Sequence, residues 1–350
     1  MFKNSPPESI CLIRLSHIGD TCHALAIVRA IQDNWPATRL TWIIGKIEEE
    51  LMGDIPGIEF ITFDKSKGRQ GYQQLQRLLA NHSFDVALCM HASMRVNPIY
   101  RMINTPVRLG FDYPRARDFQ WLFTNHRIEE QRQEHVLDSM MGFACHIGVP
   151  KQVPRWDIPL SAADRAFAMK HTGSADAVLT ISPCSTQRRR NFRNWNADKY
   201  ASVANYASQK LGCRIILTGG QSDLERKYGR KIEYRCEREV INLIGKTNLK
   251  QLLAILDVSD ALICPDSGPA HMATTVGTPV IGLYATSNPD RSGPYLSRNL
   301  IVNAYPEATR HFLGKMPEEL RWGQRVRSPG AMALIQLDDV IERINRVFDR

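Results

Sequence analysis

The sequence predicts two successive α/β domains of Rossmann type, on three observations. Apolar strand-like runs alternate with helical patterns through the first half; the alternation stops in a proline-bearing stretch; it then restarts and runs almost to the end. With 350 residues, the chain is long for one core and comfortable for two. The two domains are expected to face each other across a cleft.

The first domain, residues 1–155, begins with the apolar run ICLIRL and a helix over about 21–34. LTWIIGK and IEFITFD read as the next strands, followed by a helix near 73–81, then FDVALCM and VRLGFD. A long helix over about 134–147 leads into GVPKQVPRWDIPLS, whose three prolines and lack of periodicity mark a linker. The second domain, 156–335, repeats the pattern. AVLTISP, CRIILTGG, VINLIG, ALICPDSG and PVIGLY are its strands, with helices near 198–210, 223–234, 249–258 and 269–276. The last segment, 336–350, places Ile341, Ile344, Val347 and Phe348 on one helical stripe, read as packing back on the N-terminal domain.

Composition narrows the function. A chain with 43% hydrophobic and 23% charged residues is globular rather than disordered. No stretch approaches the roughly 20 apolar residues of a membrane span. The start, MFKNSPPESICLIRL, lacks a signal-peptide core because Arg14 breaks its only short apolar run, so a cytoplasmic protein is expected. Eight Cys without a CxxC pair read as reduced core residues, and ten His without HExxH or a Cys/His cluster give no metal site. The net charge of +9 suits an acidic partner: nucleic acid, an anionic membrane surface or a phosphorylated substrate. No nucleic-acid motif accompanies it.

Two stretches carry chemistry. In CLIRLSHIGDTCHALAIVRAI, residues 11–31, a strand, a glycine turn and a helix form a layout that usually cradles phosphate. Yet Asp20 follows Gly19 and no Lys is present, so the turn offers a carboxylate, either for chemistry or as a helix cap. In CPDSGPAHMATTVGTPVIGLY, a strand ends at Cys264 and a helix begins at about Pro269. Free N–H groups there could receive a diphosphate, with Gly268 allowing close approach, Ser267 adding a hydroxyl and His271 on the first turn. The alternative is an ordinary helix capped by Asp266 or Ser267. The densest charge run, RRRNFR at 188–193, is either a solvated loop or a ligand loop at a strand end.

Together, RLSHIGDTCHALAIVRAI and PDSGPAHMATTVGTPVIGLYATSNPDRSGPY resemble the ADP-heptose:lipopolysaccharide heptosyltransferases, glycosyltransferase family 9, most of all the heptosyltransferase I branch. The likeness spans nearly the whole chain, including SPCSTQRRRNFRNW, LTGGQSDLER and LIGKTNLKQLLAIL. It implies a GT-B fold, with the donor nucleotide in the C-terminal domain and the acceptor in the N-terminal one. It also implies inverting transfer of heptose from ADP-heptose to Kdo of lipid A, with no metal or other cofactor. Asp20 matches the family's catalytic base. Asp266 matches an aspartate on the heptose hydroxyls, Ser267 and Gly268 a Thr-Gly pair on the diphosphate, and His271 a donor-site histidine. Ser185 and Thr186 match a hydroxyl-bearing phosphate loop. Arg193 stands where many relatives carry Lys, two residues before Trp195; its planar fork differs from a point charge. The ribose acid falls at Asp223 or Glu225, and Lys246 and Thr247 lie in the loop expected beside adenine.

For the acceptor, the resemblance leads one to expect basic N-terminal loops. Lys65, Lys67 and Arg69 form one group. Six Arg between Met94 and Arg127, Arg95 and Arg101 among them, form another. An enzyme of this kind would meet an anionic inner-membrane surface reversibly, on the cytoplasmic face in a Gram-negative bacterium. The rival readings are a sugar-nucleotide epimerase of the same architecture and a non-catalytic nucleotide-sugar binding protein. A dehydrogenase is poorly supported, since the first turn lacks GxGxxG.

Overall fold

The computed structural model describes residues 1–2, 5–173, 175–185 and 191–348. The chain divides into two units, Met1–Pro159 and Leu160–Arg350. The break falls inside the proline-bearing stretch.

In the first unit, β1 (Ser9–Ile13), α1 (Ile18–Asn34), β2 (Arg39–Gly45), α2 (Lys46–Met52), β3 (Ile58–Phe63) and α3 (Gly68–Leu79) follow one another. Then come β4 (Val86–Leu88), α4 (Asn97–Tyr100), β5 (Val107–Gly110), β6 (His126–Arg127) and α5 (Val136–Ile147). The sheet is parallel throughout, in the order β3-β2-β1-β4-β5-β6. β1 is buried on both faces, as its unbroken apolar run requires. α1 is also buried nearly all round, from Thr21 to Ile31. Part of that cover comes from the segment read as a linker. The Trp156 indole donates to the Cys22 carbonyl at 2.9 Å, and buried Arg29 donates to the carbonyls of Trp156 and Asp157 at 2.9 and 2.8 Å. The stretch therefore works as a strap on α1, held by groups that have no periodicity to reveal them.

The second unit contains α6 (Ala162–Thr172), β7 (Val178–Ile181), α7 (Ala197–Lys210), β8 (Arg214–Leu217), α8 (Asp223–Arg235), β9 (Val240–Asn242) and α9 (Leu249–Asp257). It continues through β10 (Ala261–Pro265), α10 (Gly268–Thr275), β11 (Val280–Tyr284), α11 (Pro289–Ser292), β12 (Val302–Asn303), α12 (Tyr305–Leu313) and α13 (Leu337–Phe348). Its parallel sheet runs β9-β8-β7-β10-β11-β12, which repeats the strand plan of the first unit. The two domains are thus Rossmann-type, and all the strands named from the sequence are present. α6 and α12 were not foreseen: α6 buries only Ala168 and Thr172, too few positions to show a period.

α13 departs from its sequence reading. It packs within the second unit, on α7, β11 and β12, with Val340 and Ile344 fully buried in that unit's core. The buried stripe is centred on Val340, which the sequence reading passed over, and Ile341 is only half-buried. Six of the eight Cys are buried, Cys236 is half-buried and Cys145 is exposed, so Cys145 departs from the core reading. Among the described residues no helix is long and apolar enough to cross a membrane.

Candidate active site

In an open parallel sheet, ligands bind beyond the carboxyl ends of the strands where the strand order reverses. That point lies between β1 and β4 in the first unit and between β7 and β10 in the second. Asp20 follows β1 at the first, and Ser185, Arg193, Asp266, Ser267, Gly268 and His271 follow β7 or β10 at the second.

In the first unit the chain leaves β1 through Arg14 and enters α1 at His17, which is the N-cap. Asp20 sits three residues further on and makes no cap hydrogen bond. Its carboxylate instead accepts from the Arg14 guanidinium, and the His17 imidazole lies 3.5 Å away. Arg14 is buried and reaches across the reversal point, donating to the Met90 carbonyl beyond β4 at 2.7 Å. Burial alone would raise the Asp20 carboxyl. The Arg14 charge, a hydrogen bond with His17 and the charges of His23 and His17 together outweigh it, and the carboxyl lies well below the usual range. His91 accepts the Leu15 N–H at 3.3 Å. Burial first, then the charge of Arg14, pushes His91 down to about 3, so it is neutral at physiological pH.

Close approach fixes the neighbouring strand. A Cβ on Gly45 would lie 2.1 Å from the Leu15 carbonyl oxygen and 2.5 Å from a Glu48 carboxylate oxygen. Glu48 is itself buried, and burial raises its carboxyl despite its own backbone N–H and the charges of Lys65, His17 and Arg14. Two carboxyls with opposite shifts thus face Arg14 and His17, a pattern typical of sites that manage protons. Sequence reasoning named Asp20 and missed Arg14 and Glu48. Arg14 was visible as a charge in an apolar strand run.

In the second unit, Arg193 in the loop after β7 donates to the Asp266 carbonyl at 2.8 Å and to its carboxylate at 3.3 Å. Ser287, beyond β11, donates to the same carboxylate at 2.7 Å. Asp266 is therefore not a helix cap. Ser267 occupies the N-cap position of α10 without making a cap hydrogen bond, and among the described residues its buried hydroxyl has no oxygen or nitrogen partner. His271 is buried on the first turn. Trp195 is fully buried and its indole donates to the Ile335 carbonyl at 3.3 Å, which anchors the Arg193 loop. Ser185 is buried, and its hydroxyl oxygen accepts from Asn191 at 2.7 Å, leaving the O–H to donate elsewhere. Thr186 lies outside the described residues.

A strap near the C-terminus adds charge that the sequence reading did not use. Ser287 faces Arg325 in an antiparallel bridge, and the Val326 N–H donates to the Thr286 carbonyl at 3.0 Å. Burial, and then the charges of Arg193, Arg291 and Arg327, push the Arg325 guanidinium down, against the pull of Asp266. Arg193 in contact with the Asp266 carboxylate, and Arg325 within reach of its charge, put positive charge at a helix N-terminus, which suits a polyanion.

The profile of glycosyltransferase family 9 (heptosyltransferase) matches residues 72–319. The lipopolysaccharide core heptosyltransferase OpsX of Haemophilus influenzae is 40% identical over 341 residues, covering 97% of both chains. The chain belongs to glycosyltransferase family 9. Solved structures agree in fold. The glycosyltransferase family 9 protein of Veillonella parvula superposes with a TM-score of 0.78 at 22% identity, over 97% of both chains. The Escherichia coli heptosyltransferase WaaC with ADP does so at 0.75 and 15%, over 97% of this chain and 99% of that one. The two Rossmann-type units are those of the GT-B fold.

The family's other expected positions can now be located in this heptosyltransferase. Glu225 is held in a capping box at the start of α8: one oxygen accepts the Gly220 N–H at 2.7 Å, and the other accepts the Ser222 hydroxyl at 2.5 Å. Asp223 is exposed on the same turn. Lys246 is exposed and donates to the Asn242 carbonyl at 2.7 Å, with Thr247 half-buried beside it. Lys65, Lys67 and Arg69 are exposed after β3. The six Arg between Met94 and Arg127 divide into two sets. Arg108 donates to the carbonyls of Tyr100 and Ile103, and Arg115 is bound to Asp112 and Glu134, so both brace the fold. Arg95, Arg101, Arg117 and Arg127 are exposed. Among the described residues no group of three or more His, Cys, Asp and Glu side chains is placed to hold a metal ion.

Proposed function

We propose that this heptosyltransferase transfers heptose from ADP-heptose to Kdo of lipid A, with inversion, in assembly of the lipopolysaccharide inner core. The observation that carries this reading is that an ionised Asp20 stands at the reversal point of one unit, while in the other unit Arg193 grips the turn after β10. The name and coverage of the Haemophilus relative support the lipopolysaccharide part.

Asp20 takes the proton from the attacking Kdo hydroxyl as that oxygen bonds to the heptose anomeric carbon. The bond from that carbon to the β-phosphate oxygen breaks on the opposite face, and ADP departs with the electron pair. Arg193, the free N–H groups opening α10 and the Ser267 and Ser185 hydroxyls meet the growing negative charge. No metal is called on for this, because the charge is met by groups of the chain. Arg14 keeps Asp20 ionised but also weakens it as a base, so acceptor binding must loosen that pair before the proton moves. In this reading Asp266 accepts from heptose hydroxyls while it orients Arg193. Asp223, exposed beside the engaged Glu225, is the better candidate for the ribose. We place the enzyme at the cytoplasmic face of the inner membrane, where a lipid-anchored acceptor would be met.

Mass spectrometry of products from ADP-heptose and a panel of Kdo-lipid A acceptors tests the reading. An acceptor heavier by one heptose is expected. Release of an epimerised sugar with no adduct would select an epimerase, and ADP binding without turnover on any acceptor a binding protein.

A further inference from the structure

Met94, Tyr113, Phe119 and Leu122 expose 62%, 65%, 60% and 52% of their surface, although each is large and apolar or aromatic. They are gathered by specific bonds. The Met94 N–H donates to the Asp118 carboxylate at 3.1 Å, and the Asn97 amide donates to the Asp118 carbonyl at 2.6 Å, which ties the loop after β4 to the loop after β5. Asp118 and Phe119 are consecutive left-handed residues, with φ of 54° and 59°, in a turn that leaves the Phe119 ring exposed. The Tyr113 and Trp121 rings lie 6.3 Å apart.

Cations are interleaved with these side chains. Arg127 lies over Tyr113 at 5.9 Å, and Arg101 lies over Phe123 at 4.8 Å while donating to the Leu122 carbonyl at 3.3 Å. Arg95 and Arg117 are exposed in the same loops. The Tyr72 hydroxyl donates to the Arg95 carbonyl at 2.7 Å, joining α3, and with it the Lys65–Arg69 group, to this face. A patch of exposed apolar tips ringed by cations is unusual on a soluble surface, and its charge complements anionic lipid.

We propose that this loop face docks on an anionic lipid surface, with Phe119, Leu122, Tyr113 and Met94 entering the headgroup layer and Arg95, Arg101, Arg117 and Arg127 meeting its phosphates. The proposal deepens, and rests on, the reading that the acceptor is lipid-anchored. It assigns the hold on the membrane to apolar anchors as well as to charge. Tyrosine suits that depth, because its ring is apolar and its hydroxyl stays wet.

The test is co-sedimentation of the full chain with vesicles of phosphatidylglycerol and phosphatidylethanolamine, against phosphatidylcholine vesicles. The wild type should partition to the anionic vesicles. Phe119→Ser with Leu122→Ser should weaken that partition about ten-fold, from the lost transfer of two side chains. Met94→Ser with Tyr113→Ser should act in the same direction, and circular dichroism checks that both pairs fold. High salt should weaken binding further, since the charge part is screened beyond ~8 Å at physiological ionic strength. ADP affinity and transfer to a soluble, deacylated acceptor should be unchanged in both double variants. Wild-type binding to neither vesicle, or equal binding by wild type and both double variants, would overturn the proposal. So would a wild-type dimer that the substitutions turn into monomer while vesicle binding stays intact, because the face would then be a self-association surface. Vesicle binding that depends on these residues, in a protein that transfers heptose to no acceptor, would instead uphold the docking face and refute the proposed function.

Discussion

Arg193 grips Asp266 twice, at the backbone carbonyl and at the carboxylate, and so joins the loop after β7 to the turn after β10. The side chains are only 17% and 10% exposed, so the pair is largely shielded from water. Asp266→Ala would leave Arg193 facing Arg325 without its carboxylate partner, at a cost of about 3 kcal/mol by analogy with other broken buried pairs. Urea unfolding should show that loss, and pyrophosphate should restore more stability to the variant than it adds to the wild type. ADP-heptose affinity should fall while ADP affinity is kept or rises. Equal loss of both would mean that Asp266 only shapes the turn.

Arg325 is bridged to Ser287, which holds Asp266. Among the described residues no carboxylate lies at ion-pair distance from its guanidinium. Arg325→Gln should therefore weaken ADP about ten-fold, the scale of one charge-assisted hydrogen bond, and AMP much less. Calorimetric titration of both nucleotides decides it; an unchanged ratio of affinities would remove Arg325 from the donor site.

The Arg14–Asp20 pair sets a pH dependence. Asp20's folded pKa is lowered beneath its ordinary value of 3.8, so its contribution to stability is complete above that value and is lost as pH falls toward the folded pKa. Wild-type kcat/KM should accordingly show no acid limb from Asp20 at neutral pH. Arg14→Met removes the chief lowering charge and leaves burial, which raises the carboxyl, so an acid limb should move upward in the rate profile. A profile identical to wild type would show that Arg14 does not govern Asp20.

Gly45 is held by space. Alanine there would clash with the Leu15 backbone and Glu48, at about 1–3 kcal/mol for overpacking. A lower midpoint in thermal unfolding is expected, and an unchanged one would mean that the turn after β1 can move aside.

The architecture was legible because long apolar runs mark β1, β2, β10 and β11, and because Gly268 and Pro269 mark the turn from strand into helix. What escaped the sequence was tertiary. Arg14 reads as an interruption until the fold carries it to Met90 and Asp20, residues on two different elements. Arg325 lies 59 residues beyond Asp266 in sequence and reaches that turn only through the bridge to Ser287. Arg108 and Arg115 counted among the basic loops expected for the acceptor and became internal braces, because their carbonyl and carboxylate partners come from separate turns. The α13 stripe was shifted since four apolar residues on a short helix leave its centre open, and packing against α7 selects Val340 and Ile344.

Turnover by Asp20→Asn tests the central claim most directly. The amide keeps the size of the side chain and removes its basicity, so the variant should fold, bind ADP as the wild type does and lose about 10²–10⁴-fold in kcat, the usual cost of losing a general base. A kcat near the wild-type value, with ADP binding intact, would contradict the assignment of Asp20 as the base.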